Sequence, residues 1–405
     1  MGAKKGNAVV AQSGGMTAAI NATLAGVYSK AAQAEEISKI YGSLHGIEGI
    51  INDNLKELNL NSDEVEMLKV TPGGYLGSCR YKLPTLEKGP EVYNSIFETF
   101  KKYDIRYFFY IGGNDSMDTA NKLSIYAKTI GYDLTVIGLP KTIDNDLPIT
   151  DHTPGFGSAA KYISTACAEV YLDVKSFDIP YVVIIEAMGR NAGWLTASAA
   201  LAKEYYDTPD LIYLPEVTFD INEFFGEVET LLNKKKLVVA VISEGIKNAD
   251  GSYFCDTGAL TSDNFGHKNL GGSAAILGQM VKDKFGVKVR PIELSLLQRC
   301  AGHSVSATDI NESFEIGGAG VGAALSGLSD VMMIFERAEG SEYSVNIGNC
   351  PLSAVANVER KIPREWINEA GNFVTKECND YIRPLIKGEL HPVMENGIPQ
   401  YIVCK

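Results

Sequence analysis

The stretch RYFFYIGGNDS, residues 106–116, decides the fold, because an apolar run leads directly into two glycines and then into polar residues. Residues 106–111 are mostly apolar or aromatic on both faces, which is typical of a strand buried in a parallel sheet. The two glycines permit a tight turn. Asp115 or Ser116 can then accept hydrogen bonds as the N-cap of a helix. The stretch therefore predicts a buried strand that turns directly into a helix.

The same alternation of strand and helix recurs along the chain. Strands are predicted at Asn7–Gln12, Arg106–Ile111, Leu134–Leu139, Tyr181–Ile185, Leu237–Ile242 and Val331–Phe335. Helices are predicted at Met16–Gln33, Pro90–Tyr103, Ser116–Ile130, Ser158–Lys175, Ala192–Lys203, Ile221–Leu232, Gly271–Lys284, Glu312–Leu325 and Pro363–Ile386. Such alternation predicts an α/β protein with helices on both faces of a mostly parallel sheet.

Composition excludes several classes of protein. The chain has 405 residues, of which 45% are hydrophobic and 21% charged, and its longest apolar runs are too short to span a membrane. The formal net charge of −13 argues against a non-specific nucleic-acid binder. Residues 1–7 lack the apolar core of a signal peptide, so a cytoplasmic protein is expected. The seven cysteines are widely spaced without a CxxC pair, which predicts free and mostly buried thiols.

Three predicted strands end in loops whose residues could bind phosphate or a cation. The first leads into Gly14 and Gly15, the second into GGNDS (112–116), and the third into PKTIDND (140–146). The carboxyl ends of parallel strands meet at one edge of a sheet. Glycine turns at helix starts favour phosphate, and clustered carboxylates favour a cation or a proton transfer. Each loop alone could also be an ordinary capped or Asx-rich turn. Together they predict phosphoryl transfer.

Taken together, GGNDS and PKTIDND resemble the phosphofructokinase family. The resemblance continues in the family's order through PGGYLGSCR (72–80), EAMGR (186–190), SEG (243–245) and Gln298-Arg299. It covers the chain to about residue 330, and the C-terminal part is less distinctive. It implies the phosphofructokinase fold, that is, two doubly wound, mostly parallel α/β sandwich domains. By analogy, residues 1–155 with about 300–360 bind donor and metal, and residues 156–299 with about 361–405 bind the sugar phosphate.

The resemblance also implies a reaction in which the C1 hydroxyl of fructose 6-phosphate attacks a phosphoryl donor to give fructose 1,6-bisphosphate. Asp144 matches the family's general base, and a carboxylate is a reasonable base for a sugar hydroxyl. Thr142, Arg80 and Arg190 match groups that bind the transferring phosphoryl group and neutralise its charge. The substrate-binding positions of the family fall on Thr142, Asp144, Met188, Gly189, Arg190, Glu244, Arg290 and Arg299.

Donor and metal positions are implied in the same way. Mg²⁺ is the expected cofactor, with Asp146 as one ligand and either Asp115 or Asn114 as another. Asn114 departs from the aspartate that is common in the family. The donor-binding positions are Gly14, Gly15, Gly113, Asp115, Ser116 and Lys141.

Two residues point to the donor. ATP-using members usually have glycine at the positions of Asp115 and Lys141, whereas pyrophosphate-using members resemble this chain at both. A carboxylate at position 115 fills space that a nucleotide would need and repels its α-phosphate, and two unit charges about 4 Å apart interact by about 4 kcal/mol at an effective dielectric of about 20. Lys141 adds a cation for the second phosphate of a small donor. Inorganic pyrophosphate is therefore the expected donor, in a readily reversible reaction.

Other interpretations stay open. An ATP-dependent phosphofructokinase is the first alternative, and a non-catalytic sugar-phosphate sensor is disfavoured because Asp144 and Asp146 are both present. A nicotinamide-dependent dehydrogenase is disfavoured because the glycine turn lacks GxGxxG. A homodimer or homotetramer with sites near subunit boundaries is expected from the resemblance. Leu296 and Tyr181 depart from the family pattern and leave the acceptor contacts and the acceptor's length undefined.

Overall fold

The computed structural model describes residues 5–256 and 270–404. The strands are β1 Gly6–Gln12, β2 Ile37–Ser43, β3 Leu55–Glu57, β4 Ile105–Gly112, β5 Thr135–Pro140, β6 Tyr181–Ala187, β7 Leu211–Tyr213, β8 Leu237–Ser243, β9 Lys288–Glu293, β10 Val331–Arg337, β11 Val345–Pro351, β12 Met394–Glu395 and β13 Ile398–Pro399. The helices are α1 Ile20–Ala31, α2 Ile47–Ile51, α3 Ser62–Val70, α4 Pro90–Lys102, α5 Asn114–Thr129, α6 Phe156–Lys175, α7 Trp194–Ser198, α8 Ile221–Lys235, α9 Ser273–Phe285, α10 Leu297–Cys300, α11 Ala307–Leu325, α12 Leu352–Val355 and α13 Lys376–Ile382. Short 3₁₀ segments lie at Ala199–Glu204, Gly302–Ser304, Arg364–Trp366 and Arg383–Ile386.

The larger sheet has the strand order β11-β10-β5-β4-β1-β2-β3. Its centre is parallel, and its edge strands β3 and β11 pair antiparallel with β2 and β10. The chain leaves this sheet after β5, builds the second sheet, and returns to add β10 beside β5. The second sheet has the order β7-β8-β6-β9 and is parallel throughout.

Both faces of each main sheet are covered. In β4, Phe108 and Tyr110 pack with α4 and α5, whereas Tyr107 and Phe109 belong to the core formed with α1 and α11. In β6, alternate residues face α6 on one side and α8 with α9 on the other. Burial on both faces explains why these strands have apolar runs instead of an alternating pattern. The predicted α/β architecture is confirmed, and each predicted strand lies within two residues of an observed one.

The predicted helix at 363–386 is wrong. The segment contains a 3₁₀ turn at Arg364–Trp366, a loop, and the short helix α13 followed by a second 3₁₀ turn. Gly371 in the loop has φ of 74°, a left-handed conformation that ends a helix. Pro384 is the second residue after α13 and lacks the N–H that a continuing helix would need.

Several other elements differ from the sequence-based expectation. The first helix begins at Ile20 and not at Met16, because residues 13–19 form the turn that contains the Gly14–Gly15 pair. The predicted helix at Ala192–Lys203 divides into α7 and a 3₁₀ segment. Edge strands such as β9 and β11 were not predicted, because they are partly exposed and have mixed polarity. The division of the chain into two domains stays a prediction.

All seven cysteines lie within the described residues and are free, and five of them are buried, which confirms the expectation of free thiols. Within the described ranges, no helix combines the length and apolar character that crossing a bilayer would require.

Candidate active site

A cleft lies where the carboxyl ends of β1, β4 and β5 meet residues from the second sheet, and its cavity measures about 210 Å³. The residues predicted from the sequence that line it are Gly14, Gly15, Arg80, Gly113, Asn114, Asp115, Ser116, Lys141, Thr142, Asp144, Asp146, Met188, Arg190, Glu244 and Arg299. The three glycine-rich or acidic strand ends therefore meet in one place, as the topology of a parallel sheet requires.

The turn after β1 brings backbone close to cationic side chains. Gly14 has φ of 78°, and its carbonyl accepts a hydrogen bond from the Ser78 hydroxyl at 2.7 Å. A Cβ added at Gly15 would lie 3.1 Å from a terminal nitrogen of Arg299. The Lys141 amino group donates to the Gly15 carbonyl at 2.6 Å. Glycine at both positions leaves space beside these cations for the backbone and for an anion.

Lys141 is an unusual cation because its side chain is buried, with 3% of the residue exposed. Burial lowers the pKa of this amine to about 7, although Asp144 acts in the opposite direction. A buried ammonium group is stabilised by an anion placed against it. The position of Lys141 on the cavity wall therefore favours an anionic ligand.

The start of α5 forms a second part of the wall. Gly113 is the N-cap, and among the described residues no side chain caps this helix. Asn114, Asp115 and Ser116 occupy the first turn and line the cleft. A 16-residue helix that begins at a cavity presents backbone N–H groups and the positive end of its dipole to a ligand.

The loop after β5 carries the two acidic residues of the cleft, Asp144 and Asp146. Between them, Asn145 is buried and adopts a left-handed conformation with φ of 54°. The Thr142 hydroxyl accepts a hydrogen bond from the backbone N–H of Asp144 at 3.1 Å. Burial raises the pKa of both carboxyl groups, and the proximity of Asp144 raises that of Asp146 further. A carboxyl group with a raised pKa is suited to accepting a proton.

The opposite wall is built from the turns that follow β6 and β8. The Gly189 N–H donates to the Glu244 carboxylate at 3.3 Å, and the Ser243 hydroxyl donates to the Gly189 carbonyl at 2.5 Å. The Gln298 side chain accepts a hydrogen bond from the Met188 N–H at 3.1 Å, which fixes the position of Gln298 and of the adjacent Arg299. These contacts bind the EAMGR, SEG and Gln298-Arg299 motifs into one unit.

Two charged side chains on this wall, Arg190 and Glu244, are partly buried without full compensation of their charge. Arg190 Nε is buried and has no hydrogen-bond partner among the described residues. Burial, followed by the proximity of Asp144, raises the pKa of Glu244 to about 7. A buried guanidinium nitrogen without an acceptor favours a bound oxyanion.

Two predicted substrate-binding residues do not line the cleft. Gly189 is buried behind the wall with φ of 131° and contributes through its backbone contacts. Arg290 is exposed on the edge strand β9 and lines a separate cavity together with Lys288 and Tyr181. Arg290 therefore does not line the cleft of its own chain, because it lies on the edge strand β9 beside residues of α6. Leu296 is likewise outside the cleft, with 54% of the residue exposed.

Sequence reasoning missed Met16, Ile143, Asn191, Ala192 and Glu359, all of which line the cleft. The first four adjoin recognised motifs, so proximity in sequence was a usable signal. Glu359 lies in the C-terminal part, where no motif marked it. Its carboxylate accepts a hydrogen bond from the Asn191 side chain at 3.1 Å.

The sequence matches the profile of the family described as Phosphofructokinase over residues 7–324, so the chain belongs to the phosphofructokinase family. Its relatives include the pyrophosphate–fructose 6-phosphate 1-phosphotransferase of Halomonas elongata, 42% identical over 97% of this chain and 95% of that protein. The protein of the same name from Xanthomonas campestris is 43% identical over 99% and 96% of the two chains. The crystal structure of the pyrophosphate-dependent phosphofructokinase from Nitrosospira multiformis superposes with a TM-score of 0.89 at 39% identity, over 98% and 96% of the two chains.

Proposed function

We propose that this protein transfers a phosphoryl group from inorganic pyrophosphate to the C1 hydroxyl of fructose 6-phosphate, giving fructose 1,6-bisphosphate and phosphate. Family membership supports phosphoryl transfer to a sugar phosphate. The names of the relatives from Halomonas and Xanthomonas, which match over almost the full length, support pyrophosphate as the donor. The reaction is readily reversible, so the enzyme serves both directions of hexose phosphate metabolism.

The choice of donor rests on the presence of both Asp115 and Lys141 in the lining of the cleft. Asp115 lies in the first turn of α5, and Lys141 is buried beside the Gly14–Gly15 turn. The carboxylate disfavours a nucleotide by charge and by volume, whereas the amine offsets the charge of a second phosphate. A compact diphosphate satisfies the buried cation without needing the space that Asp115 occupies.

Asp144 acts as the general base. Its raised pKa suits a carboxylate that takes the C1 hydroxyl proton as the oxygen attacks phosphorus. Thr142 lies within the same loop and donates its hydroxyl to the transferring phosphoryl group. Arg190 and Arg80 stabilise the charge that spreads over the equatorial oxygens, and the unpartnered Nε of Arg190 is one donor available for this purpose.

The sugar phosphate binds on the opposite wall. Glu244 accepts hydrogen bonds from sugar hydroxyl groups, and Met188 packs against the ring. Arg299 reaches the 6-phosphate, for which a planar guanidinium offers two parallel donors. Burial lowers the pKa of Arg299, and the neighbouring Arg80 lowers it further, so the pair is stabilised by a shared anion.

The donor set of the cleft fits Mg²⁺. Within the described ranges, no three His, Cys, Asp or Glu side chains form a ready-made metal group. Mg²⁺ commonly uses one or two carboxylates and completes its shell with phosphate oxygens and water. Asp146 and either Asp115 or Asn114 would hold it. When bound, the ion would neutralise negative charge on the donor. With Asp146 as its ligand, Asp144 would stay available as the base.

A donor comparison tests this function. Initial rates with fructose 6-phosphate are measured side by side with pyrophosphate and with ATP, for the wild type, Asp115→Gly and Asp115→Gly/Lys141→Gly. We expect the wild type to prefer pyrophosphate, and the substitutions to reduce that preference. A wild type that uses ATP as efficiently as pyrophosphate would show that Asp115 does not exclude nucleotide. Inactivity with every donor would favour a sugar-phosphate sensor.

We further propose a cytoplasmic homodimer or homotetramer. The free thiols suit a reducing compartment. The exposed position of Arg290 supports an assembly in which this residue serves the cleft of a neighbouring copy, since the family resemblance gives it a role in binding the sugar phosphate.

A further inference from the structure

A segment of the C-terminal part packs against the loop after β5 that carries Asp144 and Asp146. The central residue of this segment is Arg360. The guanidinium group of this residue donates to the carbonyl oxygens of Thr150 at 2.8 Å and Asp151 at 2.6 Å through one terminal nitrogen. The other terminal nitrogen and Nε donate to the Asn145 carbonyl at 3.0 and 3.3 Å. One side chain therefore ties both ends of the loop that follows Asp144.

The contact falls on a residue of that loop with a left-handed backbone, Asn145. Asn145, with φ of 54°, separates the two acidic residues of the cleft, and its left-handed backbone allows both neighbours to reach the cavity wall. The backbone N–H of Arg360 also donates to the Asp146 carbonyl at 2.6 Å. Both residues that follow Asp144 are thus held through their carbonyl oxygens by one residue.

The same segment is fixed on the opposite wall. Glu359 accepts from Asn191, which follows Arg190 directly. The Arg360 guanidinium lies 4.9 Å from the centre of the Trp194 ring, and the Trp194 indole N–H donates to the Arg360 carbonyl at 3.4 Å. Residues 359–360 therefore connect the acidic loop of the larger sheet to the turn after β6.

We propose that Arg360 is a positioning residue for the reaction, which holds the loop at Asn145 so that Asp144 meets the acceptor hydroxyl at the correct distance. It does not touch the reacting atoms. Arg360 lies beyond residues 7–324, the range that matches the family profile, so the C-terminal part contributes to the geometry of the cleft. Because this role presupposes the phosphoryl transfer proposed above, its test must give an answer whichever donor the enzyme uses.

Arg364 provides a matched control. It lies four residues further along the same segment and also donates to backbone carbonyls, those of Ile367, Asn368 and Glu369, away from the cleft. The variants are Arg360→Ala, Arg360→Lys and Arg364→Ala. Each is assayed at least about 15 °C below its own melting temperature with the donor that the wild type uses best, and hydrogen exchange is followed by mass spectrometry for peptides that cover residues 142–153.

We expect Arg360→Ala to lower kcat by about 10- to 100-fold, with KM for both substrates within about threefold, since small misplacement of a base affects turnover more than binding. Faster hydrogen exchange at residues 142–153 is expected in the same variant. Arg360→Lys should recover part of the turnover, because an ammonium group can bind one or two of the same carbonyls, and guanidinium ion should partly rescue Arg360→Ala. Arg364→Ala should keep kcat within about twofold and leave exchange at 142–153 unchanged.

Wild-type kcat in Arg360→Ala with only a lower melting temperature would overturn the positioning role, as would an equal loss of kcat in Arg364→Ala. Should Arg360→Ala not fold, the same outcomes apply to Arg360→Lys. The rates of the wild type with each donor test the proposed function separately. Hydrogen exchange at residues 142–153 tests the role of Arg360 without requiring any reaction.

Discussion

At the scale of single residues, the cleft depends on charges whose ordinary protonation is disturbed by burial. Lys141, Asp144 and Glu244 each have a pKa that burial moves toward neutrality. Such groups destabilise a protein unless a ligand or a proton transfer uses them. Their concentration around one cavity is the reason to regard this cleft, and not the cavity beside Arg290, as the reaction centre.

Replacing the base gives the most direct test at this scale. We expect Asp144→Asn to reduce kcat by about 10²- to 10⁴-fold, because the amide cannot accept the hydroxyl proton, while both substrates still bind. Steady-state rates and calorimetric binding of fructose 6-phosphate measure the two effects. Asp118→Asn is the control, since Asp118 forms an ion pair with Lys122 within α5 and does not line the cleft. Turnover in Asp144→Asn equal to that of the wild type would remove Asp144 from the mechanism.

Sequence reasoning located most cleft residues because they lie in contiguous motifs at strand ends. GGNDS and PKTIDND reach the cleft through the local geometry of β4 and β5, which an apolar run and a glycine turn suffice to predict. Glu359 and Arg360 could not be found in this way. They reach the site by tertiary contact from a segment without regular structure, and neither their spacing nor their residue types distinguish them from surface charges.

At the scale of elements, the loop that carries Asp144 is anchored by a buried network around His152. The imidazole contacts Asp151 at 2.9 Å and Glu312 of α11 at 2.8 Å, and its ring stacks on Phe335 of β10. Arg337 donates to Asp151, Tyr343 donates to Glu312, and Asp309 of α11 also faces the imidazole. Burial opposes protonation of His152, but the hydrogen bonds to Asp151 and Glu312 outweigh it and raise the pKa.

This network makes stability depend on pH in a defined direction. A histidine with a raised folded-state pKa stabilises the protein fully below its unfolded pKa, about 6.5, and loses that contribution as pH rises through the folded pKa. The pKa of Asp151 is lowered despite its burial, mainly by its hydrogen bond to His152, so its contribution is lost as pH falls through that value. We expect the melting temperature of the wild type to fall more steeply than that of His152→Gln as the pH rises above about 6.5. The exposed His391→Gln is the control, and parallel curves for wild type and His152→Gln would contradict the assignment.

Helices α1 and α11 pack so closely that glycine is required between them. A Cβ at Gly26 of α1 would overlap the Phe314 carbonyl, and one at Gly317 of α11 would overlap the Thr23 carbonyl. We expect Gly26→Ala to destabilise the protein by about 1–3 kcal/mol, as overpacking usually does. Gly322→Ala in α11 meets open space and should stabilise by up to about 1 kcal/mol, through helix propensity. Urea unfolding measures both, and equal effects would show that the helices can move apart.

Element prediction succeeded where burial was complete and failed where it was partial. The strands β1, β4, β5, β6, β8 and β10 were evident because both of their faces are covered. The edge strand β9 was not, since lysine, arginine and glutamate alternate with its apolar residues. The segment 363–386 has helical periodicity in parts, yet Gly371 and Pro384 divide it, and its packing against the second sheet compensates for the lost helix.

At the scale of the whole molecule, Arg290 is the residue that a single chain does not explain. It lies on the open edge of the second sheet, and its cavity also contains Tyr181 and Lys288. In a symmetric assembly, a residue at such an edge can complete the cleft of a neighbour.

Complementation between two inactive variants tests this arrangement. Arg290→Ala and Asp144→Asn are each expected to be weakly active alone. After the mixture is dissociated and reassembled, a dimer of one chain of each kind has one intact cleft if Arg290 acts on its neighbour, so activity should rise to about a quarter of the wild-type value. Light scattering establishes that reassembly has occurred. Reassembled mixtures without added activity would show that Arg290 does not act on the cleft of a neighbouring chain.

The order in which the larger sheet is completed affects how the protein can be made. β5 carries the Asp144 loop at its end, but its neighbour β10 emerges from the ribosome only after residues 141–330 have been synthesised. At the usual rate of translation this delay is on the order of ten seconds or more, during which one flank of β5 has no strand to pair with. Nascent chains halted before residue 331 should therefore bind chaperones and resist release, whereas full-length chains released from the ribosome should attain protease resistance.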